Sequence, residues 1–285
     1  MNEQEHSNKN RDLVYTIKNR CRVCYTCVRE CPAKAIKIIN GQAEVINDRC
    51  IGCGNCTKVC SQDAKVFLDT KQRIYNLLNS DKKNIALIAP SFPAEFSDIT
   101  NYRLFVSKIR ALGFDVVSEV AFGADLVAQK YKELVQTNGN KRFISSDCPA
   151  IVSYIEKYHP ELVNNLAPIA SPMVAMARVM KKMYGDDNHI IFIGPCIAKK
   201  SESEEVDEML TFRELREIFE ENKMYSTQLE PSNFDPPLSG RGAIFPVSRG
   251  LLQTAGINDD VFDGSIIVAE GRIDFRSEEH TSELQ

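Results

Sequence analysis

Histidine is scarce in this chain, charge of one sign is not in excess, and no long apolar run occurs. Four histidines stand among 285 residues, and His6, His159 and His189 show no spacing that would gather imidazoles on one metal. Lys and Arg number 35 against 39 Asp and Glu, a formal charge of −4. That balance supplies no basic face for a nucleic acid or an anionic membrane surface. No apolar run approaches the ~20 residues that span a bilayer. The opening segment MNEQEHSNKNRDLVYTIKNR is polar and charged, with no apolar stretch of the kind found in a secretory signal.

Cysteine is what the chain has in quantity, ten in all. Ten thiols without an export signal point to a reducing compartment, expected to be the cytoplasm, with thiolates serving metal and not disulfides. Eight fall in two copies of one pattern, 29 residues apart: Cys21-x2-Cys24-x2-Cys27-x3-Cys31 and Cys50-x2-Cys53-x2-Cys56-x3-Cys60. This spacing is the ligand set of two cubane [4Fe–4S] clusters, the fourth cysteine of each run serving the other run's cluster. One cluster is expected on Cys21, Cys24, Cys27 and Cys60, the second on Cys50, Cys53, Cys56 and Cys31. Zinc is the alternative, but it usually takes two separated ligand pairs. Cys31 is followed by Pro32, as the pattern expects, whereas Cys60 is followed by Ser61, which removes no ligand. Exposed cubanes suit an anaerobic or microaerobic cell.

Composition divides the chain into a polar lead (1–12), a cysteine-rich segment (13–70), a connector (71–83) and an alternating apolar segment (84–275). In the second of these, Ala35–Ile39, Gly41 and Ala43–Ile46 read as a hairpin between the two cysteine loops. Lys71–Lys83 reads as a polar, partly helical connector. Beyond it, strands are expected at Ile85–Ala89, Val116–Phe122, Phe143–Ser145 and His189–Ile193. Helices are expected at Tyr102–Leu112, Ala124–Val135, Pro149–Tyr158, Met173–Tyr184 and Thr211–Asn222, the last with a Thr211–Glu214 capping box. Such alternation predicts an α/β domain with ligands gathered at strand ends. The terminal decapeptide 276–285 is similar to the translation of a sequencing adapter read in frame. Without its one Arg and three Glu the charge becomes −2, and the natural sequence is expected to continue past Phe275.

Two further cysteines, Cys148 and Cys196, each precede a turn or helix. Ser145-Ser146-Asp147-Cys148-Pro149 resembles the first cluster motif of iron-only ([FeFe]) hydrogenases, Thr-Ser-Cys-Cys-Pro. Gly194-Pro195-Cys196-Ile197-Ala198-Lys199-Lys200-Ser201-Glu202 resembles the second, Met-Pro-Cys-x-x-Lys-x-x-Glu. Phe122–Leu126, Ser171-Pro172 and Leu210–Leu215 are similar to family segments in family order. The resemblance implies an α+β ferredoxin-like 2[4Fe-4S] domain followed by an incomplete α/β hydrogenase large-subunit-like domain. It implies Cys148 and Cys196 as two ligands of a cubane joined to a two-iron subcluster, with Lys199 donating to a cyanide on that unit and Glu202 supporting the lysine. Glu202 also opens an acidic stretch, Glu202–Glu208, which reads as an exposed face.

The chain departs from the family at several points. The third motif, with the last two cubane cysteines, is absent before the adapter-like tail. Asp147 stands where the family has a proton-relaying thiol; a carboxylate can serve if an apolar site raises its pKa, and it can otherwise cap the helix at Pro149. Lys130 and Tyr131 replace two glutamates of the usual proton chain, and Gly194 replaces a methionine. The expectation is an electron-transfer protein passing electrons between two [4Fe–4S] clusters and a hydrogenase-type iron site, with Asp147, Lys199 and Glu202 as catalytic candidates. If it is catalytic, the reaction is 2H⁺ + 2e⁻ ⇌ H₂. The departures also resemble a sensory branch whose signalling domain would follow the C-terminus; a plain two-cluster carrier is the third reading. A ferredoxin-type redox partner, and no nucleic acid, is expected.

Overall fold

The computed structural model describes residues 12–137, 141–257 and 266–268. The polar lead, save Asp12, and the tail 276–285 lie outside them. The first part is built on the internal repeat. Strand β1 (Val14–Thr16) pairs antiparallel with β4 (Lys65–Phe67), and β2 (Ile36–Ile39) pairs with β3 (Gln42–Val45). Short helices α1 (Thr26–Arg29) and α2 (Asn55–Lys58) follow the second cysteine of each run. Shifting α1 by 29 residues gives α2, and shifting β1 and β2 lands on β3 and β4. The β2–β3 hairpin turns at Asn40 and Gly41, both at positive φ (48° and 70°), as a type I′ turn requires. Its core is small: Cys27, Cys31, Ala33, Ala35, Ile36, Ala43 and Ile51, with Tyr154 and Tyr158 of the second part packed on it.

The segment expected as a connector holds α3 (Lys71–Leu78), which buries Ile74, and Lys83 already opens strand β5 (Lys83–Ile88). Strands β5, β6 (Val116–Glu119), β7 (Asn188–Gly194) and β8 (Glu208–Thr211) form one parallel sheet in the order β6-β5-β7-β8. After β6 the chain crosses over β5 to reach β7 through α6 (Val120–Thr137), α7 (Pro149–Tyr158) and α8 (Pro172–Tyr184). Helices α4 (Phe92–Glu95), α5 (Tyr102–Ala111), α9 (Phe212–Glu221) and α10 (Gly250–Ala255) complete the described α-helices. Ile85, Leu87, Ile88, Ile190, Ile191 and Ile193 fill the sheet and are all but inaccessible, each such side chain contributing about 1.5–3 kcal/mol. A phenylalanine cluster packs beside them, with Phe92 and Phe105 stacked at 4.8 Å and Phe96 against Phe105 at 4.9 Å. At Gly123 a Cβ would stand 2.4 Å from the Pro172 carbonyl, so glycine lets α6 approach α8.

Three sequence expectations need correction. The strand expected over Val116–Phe122 ends at Glu119, and Val120 starts α6. Apolar residues flank Ser118 and Glu119 on both sides, so periodicity does not mark the change. The strand at Phe143–Ser145 is a single parallel bridge between Ile144 and Leu166. The acidic stretch Glu202–Glu208 is not an exposed face throughout: Val206 and Glu208 are buried, and Glu208 opens β8. Its carboxylate accepts from Met209 N at 3.0 Å and lies 3.6 Å from Arg73, which compensates the burial.

Candidate functional site

The fold divides the eight repeat thiols into two groups of four. One cavity is lined by Cys21, Cys24, Cys27 and Cys60, the other by Cys31, Cys50, Cys53 and Cys56. Among the described residues no three His, Cys, Asp or Glu converge as ligands of a single ion; the thiols ring space. Backbone amides point at several sulfurs: Ala35 N donates to Cys31 Sγ at 3.2 Å, Ala64 N to Cys60 Sγ at 3.3 Å and Gly52 N to Cys50 Sγ at 3.5 Å. The loops reach this form through left-handed residues at matching repeat positions, Val23 and Tyr25 in the first run and Gly52 and Gly54 in the second. Burial pushes the Cys27 and Cys50 thiols up, and Cys56 to about 12. Exposed Cys24 is drawn down by its hydrogen bond with Thr26. Buried thiols that hold their protons make binding of a cationic cluster proton-releasing. Four thiols around each cavity, with amide donors aimed at sulfur, fit a [4Fe–4S] cubane.

The second cavity lies against the α/β part. A Cβ on Gly54 (φ 72°) would come within 2.6 Å of Ile197 Cδ1, and one on Gly52 within 3.3 Å of Ala198. Lys157 Nζ donates to the Cys50 carbonyl at 2.6 Å, and Tyr158 OH to the Ala33 carbonyl at 2.6 Å. The contact therefore sits one residue from Cys196.

Cys196 follows β7, beside β5, where the sheet order reverses direction. Open parallel sheets form their ligand crevice at such a switch point, beyond the carboxyl ends of the strands. Cys196 caps a 3₁₀ turn, Ile197–Ser201, and Cys148 stands at the N-cap of α7 before Pro149. The two thiols interact: burial first, then Cys148, pushes the Cys196 thiol up. Lys199, Glu202 and Asp147 gather at the same place. Lys199 Nζ lies 2.6 Å from Glu202 Oε2, an ion pair off the axis of a hydrogen bond, and donates to the Asp147 carbonyl at 3.2 Å. Asp147 does not cap α7; its Oδ2 accepts from Ser145 Oγ at 2.7 Å, and its buried Oδ1 has no partner. Burial pushes its carboxyl up to about 6, with Ser145 and Lys199 opposing.

The replaced glutamate positions part company. Lys130 pairs with Glu133 on the surface, at 2.7 Å. Tyr131 is buried, and its hydroxyl accepts from Ser146 N at 2.9 Å, holding the loop that carries Asp147. At Gly194 a Cβ would meet the Phe192 ring at 2.6 Å, so no larger side chain fits without displacing that ring.

Sequence reasoning passed over Lys200, the neighbour of Lys199. Its side chain is fully buried, and its Nζ donates to both Glu214 oxygens, at 2.9 and 2.8 Å, and to Thr70 Oγ1 at 2.6 Å. Glu214 also accepts from Thr70 N and Thr211 N, both at 2.7 Å. The capping box at Thr211 was the one signal of this network in the sequence, and it showed Glu214 alone.

Residues 82–278 match the family described as iron only hydrogenase large subunit, C-terminal domain, and residues 13–61 match a 4Fe-4S dicluster domain. Iron hydrogenase 1 of Clostridium pasteurianum is 30% identical over 287 residues, covering 84% of this chain and 50% of that protein. Cytosolic Fe-S cluster assembly factor NAR1 of Yarrowia lipolytica is 23% identical over 175 residues, covering 54% of this chain and 36% of that one. A variant of apo [FeFe]-hydrogenase HydA1 from Chlamydomonas reinhardtii superposes with a TM-score of 0.57 at 22% identity, covering 72% of this chain and 63% of that one. The chain spans half the length of the first of these curated relatives and 36% of the second. No described helix is long and apolar enough to cross a membrane. With a 4Fe-4S dicluster segment preceding an α/β domain matched over most of its length, the chain belongs to the iron-only hydrogenase large-subunit family.

Proposed function

We propose that this chain passes electrons through two [4Fe–4S] clusters to an iron site at Cys148 and Cys196. The outer cluster is held by Cys21, Cys24, Cys27 and Cys60, the inner one by Cys31, Cys50, Cys53 and Cys56. The observation that carries the reading is the contact of Gly52 and Gly54, in the inner thiol loop, with Ala198 and Ile197 beside Cys196. It supports a path in which the inner cluster lies between the outer one and the switch-point crevice. Cubane clusters supply one-electron chemistry when bound. The protein's part is to shorten the gap between them, bury the thiolates and donate amide hydrogens to sulfur. A ferredoxin-type protein in a reducing compartment is the proposed electron partner.

At the crevice, Lys199 holds a positive charge over the Cys148–Cys196 site, Glu202 orients it, and Asp147 carries the exchangeable proton where the family has a thiol. Hydrogen turnover and hydrogen or redox sensing share this arrangement. Replacement of the glutamates by surface Lys130 and loop-holding Tyr131 favours sensing, because neither residue offers a carboxylate to the path. Anaerobic reconstitution tests the assignment. About eight irons per chain and S = 1/2 signals on reduction are expected, with Cys53→Ser removing about half the iron. Stoichiometric zinc with no such signal would falsify it. Absence of H₂ oxidation and evolution by the matured protein would select the sensor.

A further inference from the structure

The internal repeat makes the two cavities near copies, so the places where they differ carry information. Shifting the second cavity's wall by 29 residues relates Ile36 to Lys65, Val45 to Thr16, and Ile51 to Arg22. The inner cavity is thus walled by aliphatic groups where the outer one has a hydroxyl and two cations. Arg22 is exposed, where water screens its charge. Lys65 is not: it is 3% exposed and is among the few buried charged residues. Its ammonium donates to the Ala43 carbonyl at 2.7 Å and to Thr16 Oγ1, which in turn donates to the same carbonyl. An ammonium has three donors, and these two neutral acceptors leave its charge uncompensated by any carboxylate among the described contacts.

Burying an unpaired cation is costly, and the hydrophobic alternative stands in the other repeat as Ile36. A cation kept there in spite of that cost needs an anion, and the thiols around the cavity are the groups that supply one. Burial raises the thiols of Cys27 in the outer cavity and of Cys56 and Cys50 in the inner one, and at each of them Lys65 opposes that rise more weakly. Its charge therefore reaches both groups of thiols from a seat in the outer wall.

We propose that Lys65 sets the order of the two cluster potentials: its buried ammonium favours the reduced outer cluster more than the reduced inner cluster. The inference rests on the cluster assignment above. Reduction adds one electron, and so one unit of negative charge, to a cluster; a nearby fixed cation stabilises that form and raises the potential. The electron then rests on the outer cluster and moves inward when the inner site draws it.

The test is an EPR-monitored redox titration of the reconstituted chain with dithionite as reductant, beside Lys65→Met, which keeps the length, and Lys65→Gln, which keeps hydrogen-bond donors. Cys24→Ser, which alters a ligand of the outer cluster alone, assigns the waves. In both variants the outer wave should fall by at least tenfold in its one-electron equilibrium, about 59 mV, and the inner wave by less. Iron content and far-UV dichroism establish that the variants fold; Lys65→Arg, which keeps the charge, provides a second comparison and should leave the outer wave within tenfold of its position. An outer wave that moves less than tenfold in the neutral variants, or no further than the inner one, overturns the proposal. A wild-type chain that takes up no iron overturns the cluster assignment itself, and this inference with it.

Discussion

Removing the Glu214 carboxylate should destabilise this chain more than any surface substitution, through Lys200. In Glu214→Leu the ammonium of Lys200 keeps Thr70 Oγ1 and the Met209 carbonyl but loses both carboxylate contacts. Thr70 N and Thr211 N lose an acceptor in the same step. Burial already pulls the Lys200 ammonium below the ordinary lysine value, and Glu214 is what opposes that. Breaking a buried pair from one side costs about 3–5 kcal/mol, and loss of the carboxylate's half of the capping box, its bond from Thr211 N, about 1 kcal/mol. Total stabilities are about 5–15 kcal/mol, so about a quarter or more of the total would go. The double variant Lys200→Met/Glu214→Leu removes the stranded charge, and a coupling of at least ~2 kcal/mol is expected in the cycle. The chain has no tryptophan, so urea unfolding is followed by far-UV dichroism, with hydrogen exchange at Thr70 and Thr211 locating the opening. A cost below ~1 kcal/mol for Glu214→Leu, or a double variant costing the sum of the singles, would refute the reasoning.

Other outcomes follow from the same structure. Chelation of iron should melt β1–β4 before the parallel sheet, because the core of seven small residues there cannot by itself hold so short a segment; hydrogen exchange that opens β5–β8 first contradicts this. Gly123→Ala should cost about 1–3 kcal/mol by overpacking, since the new Cβ meets the Pro172 backbone at 2.4 Å; an unchanged urea midpoint would show that α6 and α8 separate freely. The folded-state pKa of Asp147 is raised from 3.8 to about 6 by burial, so the folded chain resists its ionisation. Relative to Asp147→Asn, wild type should then lose stability as pH rises from about 4 through about 6. The advantage of the variant grows across that window and is flat above it; a difference independent of pH would place the carboxylate in water.

Much of this protein was legible from residue spacing. The eight repeat cysteines, the β2–β3 hairpin, α7 at Pro149–Tyr158 and the Thr211 cap are local features, written in turn residues, caps and short periods. The juncture of β6 and α6 was not legible, because Val116–Phe122 offers apolar side chains to strand and helix alike. The fate of Glu208 was equally hidden, since an acidic run reads as solvated until a strand is seen to bury its end.

By itself, then, the sequence determined the cysteine inventory and the approximate two-fold repeat of the N-terminal part, because residue spacing and chain symmetry need no distant contact. Only the tertiary structure decided how the two thiol cavities are walled, that the inner loop touches the turn after Cys196, and that Lys200 is buried while Lys199 meets Glu202. Those outcomes depend on residues such as Thr70 and Glu214, 144 positions apart, and on Lys65 reaching Ala43 and Thr16 across two strand pairs. Burial turns an ordinary lysine into an electrostatic device, and burial is a property of the packed chain.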